Sequence, residues 1–146
     1  MKAIAGVRIT PLTQIRDELG AVFHMLRADS PLFIEFGEIY FSLINPGATK
    51  AWRRHRVMTL NLAVPVGSIR AVLFDNRPDS PTRGAVQFID TGEDSYSLLQ
   101  IPPRIWYGFR GVGKAPSLIA NCSTHPHDSA EIDRLPVDDP GMPSVW

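Results

Sequence analysis

The sequence predicts an all-β fold, an antiparallel sandwich or barrel, from three observations. First, 13 prolines and 11 glycines are spread over the 146 residues and separate short apolar runs, which argues against a bundle of helices. Second, these runs recur at the spacing of short strands joined by turns. Third, helix signals are confined to one stretch near the C-terminus. The length suits a single domain, 1–146, whose core needs no disulfide.

Nine stretches have the apolar patterning of strands. The clearest runs from Glu38 to Ile44, where Ile39, Phe41 and Leu43 share one face. Its other face, which carries Glu38 and Tyr40, is open to two interpretations, because it could line a cavity or face solvent. The predicted strands are Ala3–Ile9, Ala21–Arg27, Glu38–Ile44, Thr59–Val66, Ile69–Phe74, Ala85–Ile89, Tyr96–Ile101, Ile105–Phe109 and Leu118–Cys122.

Charge and residue usage exclude several function classes. Lysine plus arginine and aspartate plus glutamate both number 15, so no overall field attracts nucleic acid or a membrane surface. The single cysteine, Cys122, excludes an internal disulfide and indicates a reducing compartment, and its apolar neighbours indicate a buried thiol. No apolar run is long enough for a signal peptide or a membrane span. We therefore expect a soluble, cytoplasmic protein without nucleic-acid or membrane partners.

The region 124–146 combines one short helix with a proline-rich tail. Asp128 and Glu131 have the spacing of a capping box, with Asp128 as N-cap and Glu131 reaching back, and Pro136 ends the helix. The tail is either disordered or a strap across the barrel. We favour the strap, because apolar residues such as Met142 and Trp146 are available to dock.

The stretch from Asn45 to Arg56 concentrates positive charge and one imidazole after a turn. If this stretch is extended, Arg53 and His55 share one face and Arg54 and Arg56 the other, because side chains alternate along a strand. The same alternation argues against a nucleic-acid patch, since it divides the basic residues between two faces.

Several motifs, taken together and in order along the chain, resemble one known family. They are Asn45-Pro46-Gly47 with Lys50-Ala51-Trp52, the loop 73–82, Ile101-Pro102-Pro103 with Trp106–Phe109, the turn Asp17–Gly20 and the C-terminal Asp138-Asp139-Pro140. They resemble the dTDP-4-dehydrorhamnose 3,5-epimerase family of cupins. The resemblance implies a double-stranded β-helix (a jelly-roll barrel) with a C-terminal strap, 124–146. It also implies a site for a nucleotide-linked sugar in the barrel mouth, and a homodimer whose N-terminal arms, 1–30, exchange between subunits.

The resemblance also implies a set of catalytic positions, most of which are altered in this chain. Epimerisation beside a ketone needs a base, groups that hold the enolate, and an acid on the opposite face. In the family the base is a histidine, which an aspartate orients; a lysine holds the enolate, and a tyrosine is the acid. The histidine corresponds here to Arg53, the aspartate to Asp139, the lysine to Leu60 and the tyrosine to a position near Ala120. An arginine that contacts the nucleotide in the family corresponds to Leu19. Of this set, only the aspartate is present.

Arg53 and Asp139 predict an ion pair in place of the catalytic dyad. Arginine keeps its proton up to about pH 12, so Arg53 cannot be a general base, but it can polarise a carbonyl or bind an anion. Asp139 would supply its counter-charge if the strap closes over the barrel. A purely structural salt bridge is an equally open interpretation of Arg53.

His55 and Tyr107 are the residues that could replace the missing proton chemistry. An imidazole titrates near pH 6.5 and can take a proton, and a phenol with a pKa of about 10 can act as an acid. The alternative for both is a hydrogen-bonded polar group of the interior. With Asp139, they form the candidate catalytic set.

The candidate substrate-binding residues are Arg53, Lys50, Glu38, Tyr40 and Arg104. We expect neither a metal nor a cofactor. At the four positions where a metal cupin carries its ligands, this chain has Arg53, His55, Leu60 and Tyr107, and a lone imidazole does not hold a transition metal.

Two functions follow as hypotheses. The first is an epimerase or isomerase of a nucleotide-linked keto-sugar, or of a related carbonyl compound, in carbohydrate or secondary metabolism. The second is a cupin that binds a sugar or small acid without turning it over. A shared fold alone does not decide between them.

Overall fold

The computed structural model describes residues 2–146, so Met1, the first residue of the predicted arm 1–30, lies outside the described residues. The described chain forms twelve strands and one short 3-10 helix. In chain order they are β1 Arg8–Pro11, β2 Gln14–Asp17, β3 Gly20–Phe23, β4 Glu38–Ile44, β5 Thr49–His55, β6 Leu60–Val66, β7 Ser68–Phe74, β8 Val86–Gly92, β9 Ser97–Ile101, β10 Trp106–Gly111, β11 Ser117–Ser123, the 3-10 helix Ser129–Glu131, and β12 Ile132–Arg134.

Ten of these strands form two antiparallel sheets that enclose the main core. The first sheet has the order β1-β9-β6-β11-β4 and the second the order β12-β5-β10-β7-β8. Apolar side chains from both sheets, such as Leu62 and Ile119 from the first and Ile69 and Leu73 from the second, pack into one buried cluster. The prediction of an all-β antiparallel sandwich or barrel is confirmed, and the helical part is a single 3-10 turn.

Two predicted strands differ from the observed ones near the N-terminus. The predicted strand Ala3–Ile9 has the wrong bounds. Ile4 N and Ala5 N donate to the side chains of Gln87 and Thr82, so pairing with a neighbouring strand begins only at Arg8. The prediction Ala21–Arg27 is too long. β3 pairs only with β2 in a separate hairpin, and this pairing ends at Phe23. None of the nine predicted strands corresponds to β2, β5 or β12, although the extended conformation considered for the stretch from Asn45 to Arg56 covers β5.

Strand β4 has the predicted bounds, but its apolar face points to the outside and its polar face to the inside, the reverse of the usual arrangement. Ile39, Phe41 and Leu43 point outward and are 55%, 65% and 63% exposed. The polar face, with Glu38 and Tyr40, lines the space between the sheets. β4 is the edge strand of the first sheet, and on the outward face its apolar stripe is flanked on one side only, by Leu118, Ala120 and Cys122 of β11.

The C-terminal residues pack on the outer face of the second sheet and not over the barrel mouth. Met142 joins a buried cluster with Trp52 and Trp106, and the Trp146 ring lies 5.5 Å from the Trp52 ring, centroid to centroid. Gly108 makes this seat possible, since a Cβ there would lie 2.7 Å from Cζ2 of Trp146. The tail docks on this face because alternation along β5 and β10 turns their tryptophans outward.

No helix among residues 2–146 has the length and apolar character needed to cross a membrane.

Candidate active site

Two adjoining pockets lie between the sheets at the end where β5, β10 and β4 meet. The inner pocket has an apolar floor, with Leu60, Leu62 and Ile119. The outer pocket is lined mainly by polar and charged side chains. Tyr40, Arg53 and Tyr107 line both pockets. These three residues therefore stand where a ligand spanning the two pockets would pass.

A bulge in β5 brings two cations to the same wall. Tyr107 pairs with Arg53 and Phe109 pairs with Lys50, so β5 has one residue more than β10 over this interval. Lys50 and Arg53 are three residues apart, yet both line the inner pocket because of this extra residue. Beyond the bulge, alternation turns His55 inward with Arg53. Arg54 is turned outward and pairs with Asp133 at 2.8 Å, which confirms the predicted division of faces.

His55 lies at the centre of a buried chain of three polar side chains. It is 5% exposed, and its Nδ1 is hydrogen-bonded to Oε1 of Glu131. Its Nε2 is 2.8 Å from the hydroxyl of Tyr107, whose ring is stacked on the imidazole. The pairing of β12 with β5, in which Ile132 faces His55, carries Glu131 to the imidazole.

Glu131 is held as a carboxylate. Its Oε2 accepts hydrogen bonds from the backbone N–H groups of Arg56, Val57 and Met58 at 3.1, 3.2 and 3.3 Å. Burial alone would raise the pKa of Glu131, but hydrogen bonds from His55 and these amides outweigh burial, and the pKa lies below its usual value. An ionised Glu131 selects the tautomer of His55 that carries its proton on Nδ1, and this tautomer has a lone pair at Nε2.

Tyr107 is the donor to that lone pair. Burial raises the pKa of Tyr107 far above its usual value, so the phenol is protonated at neutral pH. With Nδ1–H directed at Glu131, the Tyr107 hydroxyl donates to Nε2. The three groups thus form a hydrogen-bonded relay, ordered Glu131, His55, Tyr107, that reaches the pocket lining.

The pocket rim carries unneutralised positive charge. Within the described chain, the Arg53 side chain has neither a hydrogen bond nor an ion pair, and it is exposed to the pocket. Arg134 also lines the outer pocket and is exposed. Lys50 donates from Nζ to the carbonyl of Leu43 at 3.1 Å. Glu38, on the facing strand, accepts from the backbone N–H of His127 at 2.8 Å. An anionic group of a ligand would be attracted to this rim.

Two residues expected at the site lie elsewhere. Asp139 does not meet Arg53. Its carboxylate accepts from the backbone N–H of Gly141 at 2.9 Å, within the tail on the outer face of the second sheet. Arg104 lines a separate groove beside Arg77, and only its backbone N–H approaches the site, donating to the His55 carbonyl at 2.7 Å. The prediction of an Arg53–Asp139 pair is wrong, because the tail covers the tryptophan face instead of the barrel mouth.

Sequence reasoning missed the role of Glu131. It assigned Glu131 to a capping box, but only Asp128 caps the 3-10 helix, accepting from Ala130 N at 2.9 Å, while the Glu131 side chain turns inward to His55. Arg134 and Asn121 were also missed. No local pattern distinguishes these residues, since their positions depend on strands paired across a long sequence separation.

The described residues contain no cluster of three or more histidine, cysteine, aspartate or glutamate side chains that could hold a metal ion.

Comparison with known proteins identifies the family. Over its whole length, this chain is 33% identical to a protein of Haloferax volcanii described as the probable low-salt glycan biosynthesis epimerase Agl13, and covers 96% of that protein. The chain belongs to the dTDP-4-dehydrorhamnose 3,5-epimerase family. A dTDP sugar isomerase from Desulfovibrio desulfuricans, known from a crystal structure, is 49% identical in sequence to this chain. The two structures match with a TM-score of 0.95 over 98% of this chain and 92% of that one. No protein-family model matches the chain.

Family membership agrees with the fold. The dTDP-4-dehydrorhamnose 3,5-epimerase of Bacillus anthracis, crystallised with TDP and pyrophosphate, is only 15% identical but has a TM-score of 0.87 over all of this chain and 87% of that one. The shared fold is the cupin jelly roll, as the resemblance implied. Homologues of this chain are sugar epimerases and isomerases, and the chain is an epimerase-like cupin.

Proposed function

We propose that this chain catalyses proton exchange at the carbon beside the ketone of a nucleotide-linked 4-keto-sugar, and so acts as an epimerase or isomerase. The observation that carries the proposal is the buried relay of Glu131, His55 and Tyr107, which ends at a pocket whose rim includes Arg53 and Arg134, neither of them in an ion pair within the described chain. The relay replaces the proton chemistry that the family places at other positions. Relatives named as an epimerase and as a dTDP sugar isomerase support the substrate class.

His55 acts as the general base in this proposal. Its Nε2 lone pair takes the proton from the carbon beside the ketone, and the electron pair of that C–H bond moves into the carbonyl to form an enolate. Glu131 stabilises the resulting imidazolium through Nδ1–H. Tyr107, which must release Nε2 for this step, keeps its proton and can donate a hydrogen bond to the substrate.

Arg53 supplies positive charge to the intermediate or to the phosphates. A guanidinium remains charged at every relevant pH and binds oxyanions with two parallel N–H groups. Arg53 lines both pockets, so it is within reach of a sugar in the inner pocket and of a diphosphate in the outer one. Arg134 and Lys50 add charge at the two ends of this path.

Deuterium exchange tests the proposal. In D₂O, the wild-type protein should place deuterium at the carbon beside the ketone of a dTDP-linked 4-keto-6-deoxy sugar, followed by NMR and mass spectrometry. His55→Gln should slow this exchange by about 10²-fold or more, the usual contribution of a general base. His24→Gln, which changes a histidine next to the hairpin, is the matched control and should exchange normally. The proposal fails if dTDP-sugars bind, seen as thermal stabilisation, and none exchanges.

The second candidate function is binding of a ligand without turnover. It is favoured because apolar residues stand at two positions where the family has catalytic residues. Leu60 forms part of the inner-pocket floor, and Ala120 is buried in β11, where the family has a lysine and a tyrosine. This alternative predicts thermal stabilisation by a sugar ligand that survives His55→Ala and Tyr107→Phe, with no exchange in the wild type.

We further propose that the chain forms a homodimer through its first sheet. The apolar stripe of Ile39, Phe41 and Leu43 lies on an edge strand, where an uncovered apolar surface promotes association. The β2–β3 hairpin pairs with neither sheet and exposes Ile15 and Val22. The hairpin is held to the rest of the described chain by contacts such as Gln14 Nε2 donating to the Glu93 carbonyl at 2.8 Å and the Phe23–Tyr96 ring contact. A two-stranded hairpin is only marginally stable by itself, so docking on a second subunit would account for its exposed apolar side chains.

A reducing compartment such as the cytoplasm suits this chain. Cys122 is a free, buried thiol, and burial raises its pKa, which keeps it protonated and unreactive.

A further inference from the structure

Tyr40 projects into the pockets from the wall opposite to the His55 relay. Tyr40 belongs to β4 in the first sheet, whereas His55 and Tyr107 belong to β5 and β10 in the second. Tyr40 and Tyr107 line both pockets, and all three residues line the outer one. A sugar ring held between the sheets would therefore have His55 on one face and the Tyr40 hydroxyl on the other.

The hydrogen bonds around Tyr40 leave its proton available. Asn121, on the neighbouring strand β11, donates from Nδ2 to the Tyr40 hydroxyl oxygen at 2.7 Å. The orientation of the Asn121 amide is determined by its other end, because Oδ1 accepts from the backbone N–H of Asn61 at 3.2 Å. Tyr40 thus receives a hydrogen bond, and its own O–H can point into the pocket. In Tyr107, by contrast, the O–H is used toward His55.

Tyr40 is also in the correct state to be an acid. Burial raises its pKa, and the Asn121 hydrogen bond only partly opposes this rise, so the phenol is protonated at neutral pH. The Asn121 amide and the nearby Arg53 would both stabilise the phenolate left after proton donation. Asn121 itself is 2% exposed and anchored in the sheet, which gives the pair a defined position.

We propose that Tyr40 is the second catalytic residue, the acid that protonates the enolate on the face opposite to His55. This inference rests on the proposed function and extends it from proton exchange to inversion. His55 takes the proton from one face, the electron pair passes to the ketone oxygen, and the enolate carbon then takes the Tyr40 proton on the other face. The Tyr40 phenolate regains a proton from solvent, and the His55 imidazolium returns its proton to solvent.

Separate measurement of exchange and inversion tests the assignment. With a dTDP-linked 4-keto-6-deoxy sugar in D₂O, Tyr40→Phe should still exchange the substrate proton through His55, with retention of configuration. Its rate of inversion should fall by about 10²-fold or more, the usual contribution of a general acid. Tyr96→Phe, which removes a buried phenol outside the pockets, is the control and should invert normally. If Tyr40→Phe does not fold, Tyr40→Gln replaces it as the test variant, because it keeps a polar partner for Asn121 without an acidic proton. The same result, exchange without inversion, is expected for Tyr40→Gln.

Three results would overturn this assignment while leaving the proposed function intact. The first is inversion by Tyr40→Phe and Tyr40→Gln at the wild-type rate. The second is recovery of the substrate's own hydrogen at the inverted carbon in a single wild-type turnover, since two separate groups predict a hydrogen drawn from solvent. The third is loss of exchange and inversion together in the Tyr40 variants, because Tyr40 would then be needed for the first step. No exchange in the wild type would reject the proposed function itself.

Discussion

At the scale of single residues, the chemistry of this site depends on which carboxylate reaches the histidine. Asp139 has the family's position in the sequence, but it binds the backbone of its own turn. Glu131 reaches His55 and is held by three backbone amides on its other oxygen. A carboxylate in this position orients the ring, selects the tautomer and stabilises the imidazolium.

Replacement of Glu131 by Gln should slow deuterium exchange and reduce stability. An amide cannot accept both from His55 Nδ1 and from the three backbone N–H groups, because one of its two ends is a donor. We expect exchange to fall by about 10²-fold, and the free energy of unfolding to fall by about 1–3 kcal/mol at pH 7, since buried groups are left unsatisfied. Exchange kinetics and urea denaturation measure the two effects.

The pH dependence of the Glu131 contribution has a definite sign. The folded-state pKa of Glu131 is lowered, so its stabilisation is present above the unfolded-state value near 4.3 and is lost as the pH falls through the folded-state value. The stability difference between wild type and Glu131→Gln should therefore shrink in acid. Asp133→Asn, which removes a neighbouring carboxylate that pairs with Arg54 and Arg56, is the control and should leave exchange intact.

At the scale of elements, the loop between β7 and β8 is organised by one buried carboxylate. Asp75 is fully buried and accepts from the Arg77 guanidinium and from the hydroxyls of Ser80 and Thr82, the last two at 2.6 Å. Arg77 also donates to the carbonyl of Ala5, which ties the N-terminal segment to this loop. Two prolines keep the loop out of the sheets, so these side chains replace ladder hydrogen bonds.

Asp75→Asn should be strongly destabilising, whereas Asp79→Asn in the same loop should be nearly neutral. Loss of one partner from a buried ion pair costs about 3–5 kcal/mol, and Asp79 is exposed. Burial opposes ionisation of Asp75, but hydrogen bonds from Arg77, Ser80 and Thr82 prevail and hold its pKa far below the usual range. Its contribution is thus complete above about pH 4 and is lost only in stronger acid. Urea denaturation of both variants at pH 7 and pH 3 measures this; equal stability of the two variants at pH 7 would contradict it.

At the scale of the whole molecule, the two sheets differ in what covers their outer faces. The second sheet is covered by the chain's own C-terminal tail, which buries Met142 against Trp52 and Trp106. The first sheet exposes the stripe of Ile39, Phe41 and Leu43 at its edge. This difference is the reason to propose a second subunit on the first sheet.

Phe41→Glu should convert the proposed dimer to a monomer. A charge in the middle of the stripe would have to be buried in a dimer interface, which is costly without a partner. Light scattering coupled to size-exclusion chromatography measures the mass. Val112→Glu, at an exposed apolar position outside the stripe, should leave the mass unchanged. A monomeric wild type, or a dimer that tolerates Phe41→Glu, would reject this interface.

Much of the framework follows from local patterns. The alternation in β4 predicts its bounds, and the motif around Lys50 and Trp52 indicates the family. Alternation also places Arg53 and His55 on the same face of β5, because side chains two residues apart in an extended chain point in the same direction. The strands at the N-terminus are less predictable, because Ile4 and Ala5 bond to distant side chains instead of to a neighbouring strand.

The sequence by itself determined the all-β fold, the family and the inward pair of Arg53 and His55. Tertiary structure alone decided that Glu131 and not Asp139 meets His55, that Lys50 joins Arg53 through a bulge, and that Tyr40 faces the relay from the opposite sheet. The physical reason is the range of the interactions. Strand alternation is written in adjacent residues, whereas the Glu131–His55 contact joins residues 76 apart and depends on how the completed sheets pair and pack.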